Sequence, residues 1–167
     1  MPATSSGGRG RARRTQSSDA AALRQFTCST GIWYENEVQR FIRGSLANRV
    51  ARGFGAWVVE EDGEVVAVAA HEGRPHPGDS SRVITHIMCV AARVDPASTP
   101  LAEGARLSQL VRAMATDVRT SGRAPLWYSM VAVDNVRMRR FHEHFGFTGG
   151  PVPSKPRYLF YTARTDV

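Results

Sequence analysis

The sequence predicts a single α/β (α+β) domain in which a mixed central sheet is flanked by helices. Its 167 residues suit one domain, and 42% of them are hydrophobic, as in ordinary globular proteins. Strand patterns and helix patterns alternate over the second half of the chain, which is typical of helices that connect the strands of one sheet. The predicted order of elements is α-β-β-β-α-β-α-β.

The composition argues against several classes of protein. The two cysteines, Cys28 and Cys89, are too few for a disulfide framework and lack the CxxC spacing of a zinc site, so we expect no bound metal. No apolar run approaches the roughly 20 residues of a membrane-spanning helix. The N-terminal residues are polar and lack the apolar stretch of a secretory signal. We therefore expect a reduced, cytoplasmic protein that does not bind membranes.

Much of the positive charge lies at the N-terminus. The formal net charge is +7, and Arg9, Arg11, Arg13 and Arg14 precede the first acidic residue, Asp19. Residues 1–20 are rich in Ser, Gly and Arg and cannot bury a core, so we predict a disordered basic leader, followed by a folded domain over residues 21–167. A basic arm that binds RNA or DNA is the alternative interpretation of the leader.

The first half of the chain predicts one helix and three strands. A helix over residues 34–50 is indicated by a single apolar stripe, and its members are Val38, Phe41, Ile42, Leu46 and Val50. Residues 55–70 predict a hairpin, because two β-branched runs flank Glu61-Asp62-Gly63. Two prolines and two glycines predict a loop over residues 73–81, and the apolar run 82–94 predicts a central strand.

The second half predicts two helices and two strands. A Pro/Ser-rich loop over residues 95–104 precedes a helical stripe made of Leu107, Leu110, Val111, Met114 and Val118. A strand over residues 124–133 follows, and Asn135 can cap a helix over residues 136–145. Residues 157–163 predict the last strand, which could close the sheet or pair across a homodimer.

The junction between the central strand and the second helix predicts an anion site. Free N–H groups and the positive end of a helix favour phosphate where a glycine-containing loop leaves a strand. Gly104 would let a ligand approach the backbone closely, and Arg106 adds a cation. An ordinary strand–helix turn remains the alternative.

The helix after Asn135 carries a second group of candidate residues. Met138, Phe141, His142 and Phe145 share one face at spacings of three, four and seven residues. His142 is therefore expected on the side that faces the sheet. The alternative is a buried histidine with a purely structural role.

These features together resemble the GNAT superfamily of acyl-CoA-dependent N-acetyltransferases. The sequence DNVRMRRFHEHFGF, residues 134–147, is similar to the family's Asn-x-x-Ala-x-x-Phe-Tyr-x-x-x-Gly-Phe block. The likeness extends over residues 26–161. Phe26-Thr27-Cys28 and the segment PVPSKPRYLF look like the toxin-type branch, which acetylates aminoacyl-tRNA.

Two positions depart from the family's pattern. The pyrophosphate loop of the family is Arg/Gln-x-x-Gly-x-Gly/Ala, whereas residues 101–106 read Leu-Ala-Glu-Gly-Ala-Arg. Arg106 therefore replaces the second glycine, and the leading basic residue is missing. His142 stands where the family commonly has a tyrosine that protonates the leaving thiolate.

The resemblance implies acetyl transfer from acetyl-CoA to a primary amine, by direct attack in a ternary complex. The central strand would part from its neighbour to admit the cofactor, with the diphosphate over Gly104. The implied cofactor-binding residues are Met88, Cys89, Val90, Gly104, Ala105, Arg106, Asn135 and Phe141.

Four residues are candidates for proton transfer. His86 is the favoured general base because imidazole titrates near pH 6.5, and Glu72 is its competitor. The acid is His142 or Tyr128. Strand alternation places His86, Met88 and Val90 on one face, and a buried structural histidine is the alternative for His86.

The acceptor is expected to be a small-molecule or peptide amine, with aminoacyl-tRNA as the toxin-like alternative. Tyr34, Glu35 and Glu37 could form an acidic rim for a cationic amine, or could simply be the solvated start of a helix. The altered loop also leaves open a catalytically weakened GNAT-fold module that binds CoA or a partner, and the leader leaves open a nucleic-acid binder.

Overall fold

A seven-stranded sheet runs through the part of the chain that the computed structural model describes, residues 10–76 and 78–166. The strands are β1 (Arg11–Arg14), β2 (Trp57–Glu61), β3 (Glu64–His76), β4 (Asp79–Ala92), β5 (Leu126–Ala132), β6 (Thr148–Pro151) and β7 (Tyr158–Arg164). Their order in the sheet is β1-β2-β3-β4-β5-β7-β6. Only β4 and β5 pair in parallel among the described strands.

Helices cover both faces of this sheet. They are α1 (Ala20–Arg24), α2 (Trp33–Phe41), α3 (Ala47–Ala51), α4 (Pro100–Thr120) and α5 (Val136–His144), and a π-helical turn (Ile42–Leu46) joins α2 to α3. One core forms between α1–α3 and the sheet, with Leu23, Ile42 and Val68 fully buried. The other forms under α4, where Leu110 and Met114 are fully buried. The predicted fold class, a mixed sheet flanked by helices, is confirmed.

The hairpin of β2 and β3 has the turn that the sequence predicts. Asp62 and Gly63 both have positive φ, at 51° and 80°, and Glu61 pairs with Glu64. Two such residues in succession match the twist of antiparallel strands.

Residues 73–81 do not form the predicted loop. β3 continues to His76 and β4 begins at Asp79, and Pro75 pairs with Val83. β2 pairs with β3 only as far as Ala69, so the far end of β3 has an open side there. A proline is tolerated at such an edge because no neighbour needs its N–H.

The prediction of a disordered leader is wrong for residues 11–20. β1 pairs with β2 along its whole length, and Asp19 lies in a single helical turn. The Arg13 guanidinium donates to both Asp19 carboxylate oxygens at 2.9 Å and also contacts Glu60. These acidic partners let an arginine-rich segment order. Residues 1–9 of the predicted leader lie outside the described residues.

None of the described helices is long and apolar enough to cross a membrane.

Asp19 makes the N-terminal segment sensitive to acid. Its side chain is 10% exposed, and the hydrogen bonds from Arg13 lower its pKa despite burial. A depressed pKa stabilises the fold above the unfolded-state value near 4, and the effect is lost as the pH falls through the folded-state value. Asp19→Asn should cost about 1–3 kcal/mol at pH 7, and the difference from wild type should shrink below pH 4 in urea titrations. Asp166→Asn, which removes an exposed pair with Arg164, is the control and should leave the unfolding midpoint unchanged.

Candidate active site

A cleft opens where β4 and β5 separate. The two strands pair only at Thr85 with Trp127 and at His86 with Tyr128, and beyond these positions they diverge. The cleft encloses about 1260 Å³ and is bordered by α2, α4 and α5. The parting of the central strand from its neighbour, which the resemblance implied, is therefore present.

A β-bulge in β4 lies next to the point of separation. Ala70 pairs with Cys89 and His71 pairs with Ile87, so Met88 has no partner on β3. The extra residue places Met88 and Cys89 together on the α1–α3 side of the sheet, whereas Val90 packs on the α4 side. The prediction that Val90 shares a face with His86 and Met88 is wrong, because alternation does not hold through a bulge.

The cleft brings together all the residues implied for cofactor binding, and His142 as well. The residues of this set in its walls are Met88, Cys89, Val90, Gly104, Ala105, Arg106, Asn135, Phe141 and His142. The other three candidates, Glu72, His86 and Tyr128, lie outside its lining, at the closed end where the two strands are still paired.

His86 is held between an aromatic ring and a carboxylate. Its ring stacks on Tyr128, with centroids 4.8 Å apart, and Tyr128 stacks in turn on Phe160. Its buried Nδ1 has no hydrogen-bond partner, and Glu72 Oε1 lies 3.6 Å away. Burial and then the charge of Arg74 lower the pKa of His86, and Glu72 opposes them only in part. The imidazole is therefore neutral at pH 7.

Glu72 is ionised and tied in place. Burial raises its pKa, but hydrogen bonds from Arg74 at 2.8 Å and Arg49 at 3.0 Å outweigh burial, so the net shift is downward. A carboxylate that is held by two guanidinium groups is a weak proton acceptor.

His142 is buried against the sheet, as its position in α5 predicts. Its Nδ1 lies 2.8 Å from the Met138 carbonyl, which can only accept, so Nδ1 carries the proton. Burial lowers the pKa of His142. The neutral ring then has no proton on Nε2 to donate.

Known structures share this architecture. A GNAT-family protein from Desulfovibrio desulfuricans is 21% identical, with 93% of this chain and 99% of that chain covered and a TM-score of 0.66. A GNAT-family acetyltransferase from Brucella melitensis, solved in complex with acetyl-CoA, is 19% identical, with 93% and 87% covered and a TM-score of 0.62. A ribosomal-protein-alanine N-acetyltransferase from the same organism is 20% identical, with 92% and 98% covered and a TM-score of 0.58.

The chain has the GNAT fold. No protein-family model matches the sequence, and no curated protein matches it significantly. At these identities the comparisons establish the fold, so the roles of individual residues rest on the geometry of this chain.

The start of α4 differs from the anion-binding loop that the sequence predicts at this position. The helix begins at Pro100, and the Thr99 side chain caps it, because Oγ1 accepts from the Ala102 N–H at 3.1 Å. The Thr99 carbonyl accepts from the Glu103 N–H at 3.0 Å. Gly104, Ala105 and Arg106 therefore lie within the helix and not in a loop at its N-terminus. The cause is Thr99-Pro100, an N-cap residue followed by a proline suited to the first helical position.

Two ion pairs lie in the same part of the cleft. Arg106 donates to both carboxylate oxygens of Glu61, at 2.9 and 2.6 Å, and to Ser98 Oγ at 3.0 Å. Arg137 of α5 reaches Glu103 of α4 at 2.9 Å. Basic side chains are thus present, but acidic partners hold both of these arginines.

Several cleft residues were not candidates in the sequence analysis, among them Tyr158 and Ser129. Tyr158 of β7 donates to Glu37 of α2 and links the two elements across the cleft; burial, then Glu37, raises the pKa of Tyr158 to about 12. Ser129 is a buried polar residue in the β5 wall. Ser129 could have been identified from the sequence as a small polar residue within an apolar strand. No local sequence pattern identifies Tyr158 as a cleft residue.

Among the described residues, no group of three or more His, Cys, Asp or Glu side chains is placed to hold a metal ion.

Gly104 offers a test of the α4 geometry. A Cβ at this helical position would meet nothing within 4 Å. Gly104→Ala should therefore stabilise the free protein by about 0.5–1 kcal/mol, because alanine is the better helix former. Gly149→Ala is the contrasting variant and should destabilise, since its Cβ would lie 2.7 Å from the Tyr161 ring. Urea titrations measure both, and a destabilised Gly104→Ala protein would contradict a helix that starts at Pro100.

Proposed function

We propose that this protein is an N-acetyltransferase that moves an acetyl group from acetyl-CoA to a primary amine by direct attack in a ternary complex. The observation that carries the proposal is the separation of β4 from β5 around the cleft, next to the bulge at Met88. The acetyl-CoA found in a solved neighbour with the same fold supports the choice of cosubstrate.

The residues of the cleft fit an elongated cofactor with an anionic end. Its volume of about 1260 Å³ exceeds the roughly 300–1000 Å³ of typical small-molecule sites. Met88, Val90 and Phe141 supply apolar wall, and arginines of α4 and α5 belong to the same lining. Acetyl-CoA would supply the activated thioester there, held by this wall and these cations.

The backbone of β4 supplies hydrogen-bond donors for the developing oxyanion. Past His86, the groups of β4 that face β5 have no strand partner, because the described part of β5 pairs with β4 at only two positions. The N–H groups of residues 88–90 that point toward β5, and not those that pair with β3, are therefore available to the thioester oxygen. Fixed donors of this kind stabilise the charge that forms in the transition state.

His86 is the proposed general base. The attacking amine must be neutral, and a neutral imidazole with a lowered pKa can take its proton at pH 7. Glu72 is the weaker candidate, since Arg49 and Arg74 hold its carboxylate. We assign Glu72 the role of a positioning residue that faces His86 Nδ1.

Tyr128 is the preferred candidate for the acid. Its phenol carries a proton at pH 7, and burial raises its pKa further. His142 lacks a proton on Nε2 in its neutral form, as the hydrogen bond to Met138 dictates. The thiol that leaves has a pKa near 8.5, so loss of the acid should slow turnover and not abolish it.

The acceptor is proposed to enter from the side of α2. Tyr34, Glu35, Glu37 and Tyr158 line this part of the cleft, and their acidic groups favour a cationic amine. A small-molecule or peptide amine fits such a rim. Two measurements test the aminoacyl-tRNA alternative. Arrest of translation in a cell-free system would favour it, and purified charged tRNA that stays unmodified would argue against it.

Binding of acetyl-CoA is the first prediction of this proposal. At 100 times its Kd, the cofactor should add about 2.7 kcal/mol to the free energy of unfolding, measured by chemical denaturation with and without ligand. No stabilisation at millimolar acetyl-CoA would reject the proposal. Stabilisation without thiol release across a panel of amines would instead favour a binding module.

Replacement of His86 is the second prediction. His86→Ala and His86→Gln should each lower kcat at least tenfold, about 1.4 kcal/mol, with the Kd of acetyl-CoA unchanged. The wild-type rate should also fall as the pH drops through the lowered pKa of His86, below about 6.5, because the protonated ring cannot accept a proton. His76→Ala, at the tip of the β3–β4 hairpin, is the matched control. Equal kcat in both His86 variants and wild type would remove His86 from the mechanism.

A further inference from the structure

We propose that Glu61 competes with the cofactor for Arg106. The Glu61 carboxylate binds the guanidinium of Arg106 until the diphosphate of CoA displaces it. The inference rests on the proposed function, because it takes acetyl-CoA as the ligand of the cleft. It assigns Arg106 and Glu61 opposite effects on cofactor affinity.

Arg106 and Glu61 form a pair inside the cleft and not on an outer surface. Both residues belong to its walls, and their side chains are 14% and 25% exposed. Two parallel hydrogen bonds, at 2.9 and 2.6 Å, fill the fork of the guanidinium with a carboxylate. Carboxylate and phosphate bind this fork with the same geometry, so one can replace the other.

The backbone of α4 offers little to a diphosphate at this wall. Pro100 has no N–H, and Thr99 takes the N–H groups of Ala102 and Glu103. Gly104 and Arg106 lie inside the helix, where their N–H groups bond along the helix axis. An anion beside residues 104–106 of α4 must therefore be met by side chains, and Arg106 is the least exposed arginine in the described lining of the cleft.

Glu61 also has a route out of the site. It is the last residue of β2, directly before the turn at Asp62 and Gly63, and it is not fully buried. A rotation of its side chain toward this turn would vacate Arg106 without a change in the fold. The negative charge of Glu61 would otherwise lie beside the diphosphate and repel it.

The test compares acetyl-CoA affinity in matched variants by isothermal titration calorimetry. Glu61→Gln keeps the size of the side chain, removes its charge and should lower the Kd at least fivefold. Glu64→Gln is the control, since it removes the same charge from the same hairpin in a pair with Arg93, outside the cleft lining. Its Kd should stay within twofold of wild type. An unchanged or weaker affinity in Glu61→Gln would overturn the proposal and make the pair purely structural.

Fragments of the cofactor locate the effect. The gain in Glu61→Gln should persist with 3′-dephospho-acetyl-CoA and vanish with acetylpantetheine, which lacks the diphosphate. A gain that vanishes with the dephospho compound would assign Arg106 to the 3′-phosphate and overturn the diphosphate assignment.

Arg106→Gln provides evidence that does not depend on the folding of the Glu61 variant. It should reduce the affinity for acetyl-CoA relative to acetylpantetheine. In the double variant, the gain from Glu61→Gln should be smaller than the gain that the same substitution gives in the wild-type background, because only the repulsion by Glu61 is then removed. Equal ratios in wild type and Arg106→Gln would overturn the inference but leave the proposed function intact. Absence of acetyl-CoA binding in wild type and all variants would instead reject both.

Discussion

The two paired positions between β4 and β5 determine where the strands separate and therefore where the cleft opens. β4 is antiparallel to β3 over its whole length, so it stays fixed in the sheet while β5 turns away. The inner edge of β4 is left with polar groups that no strand satisfies, and buried polar groups without partners are costly. A ligand that runs along this edge would satisfy them. The bulge at Met88 adds local twist at the same point and brings Met88 and Cys89 to one face.

Local sequence signals, such as apolar stripes, helix caps and turn residues, were sufficient to predict most of the fold. The apolar stripe of α4, the Asn135 cap of α5 and the tight turn at Asp62-Gly63 all have local causes, and all three are present in the structure. The bulge has no such cause, because it depends on how β3 and β4 align. Order in β1 was also missed, since the acidic partners of Arg13 include Glu60, which is distant in sequence. At Thr99-Pro100 the local signal for a helix start is an N-cap residue followed by proline, and it explains why residues 104–106 lie inside α4.

The positions of most candidate site residues follow from where the strands and helices end. The charges and ion pairs of the site do not follow from this order. Strand and helix order places Met88, Gly104 and Phe141 around one cleft. Which carboxylate faces which base or cation depends on pairs formed across the sheet, such as Glu72 with His86 and Glu61 with Arg106. These pairs determine whether a histidine is neutral and whether an arginine is available. Side-chain chemistry at this site is therefore a property of the tertiary structure.

β1 has a consequence for how copies of this chain behave toward one another. β2 is a short strand whose outer side would display free N–H and C=O groups if β1 did not pair with it. Such uncovered edges recruit strands from other molecules. The arginine-rich segment thus protects the sheet, because it pairs with this edge and its positive charges repel other copies of the chain. Without it, strand addition between molecules and precipitation would be favoured.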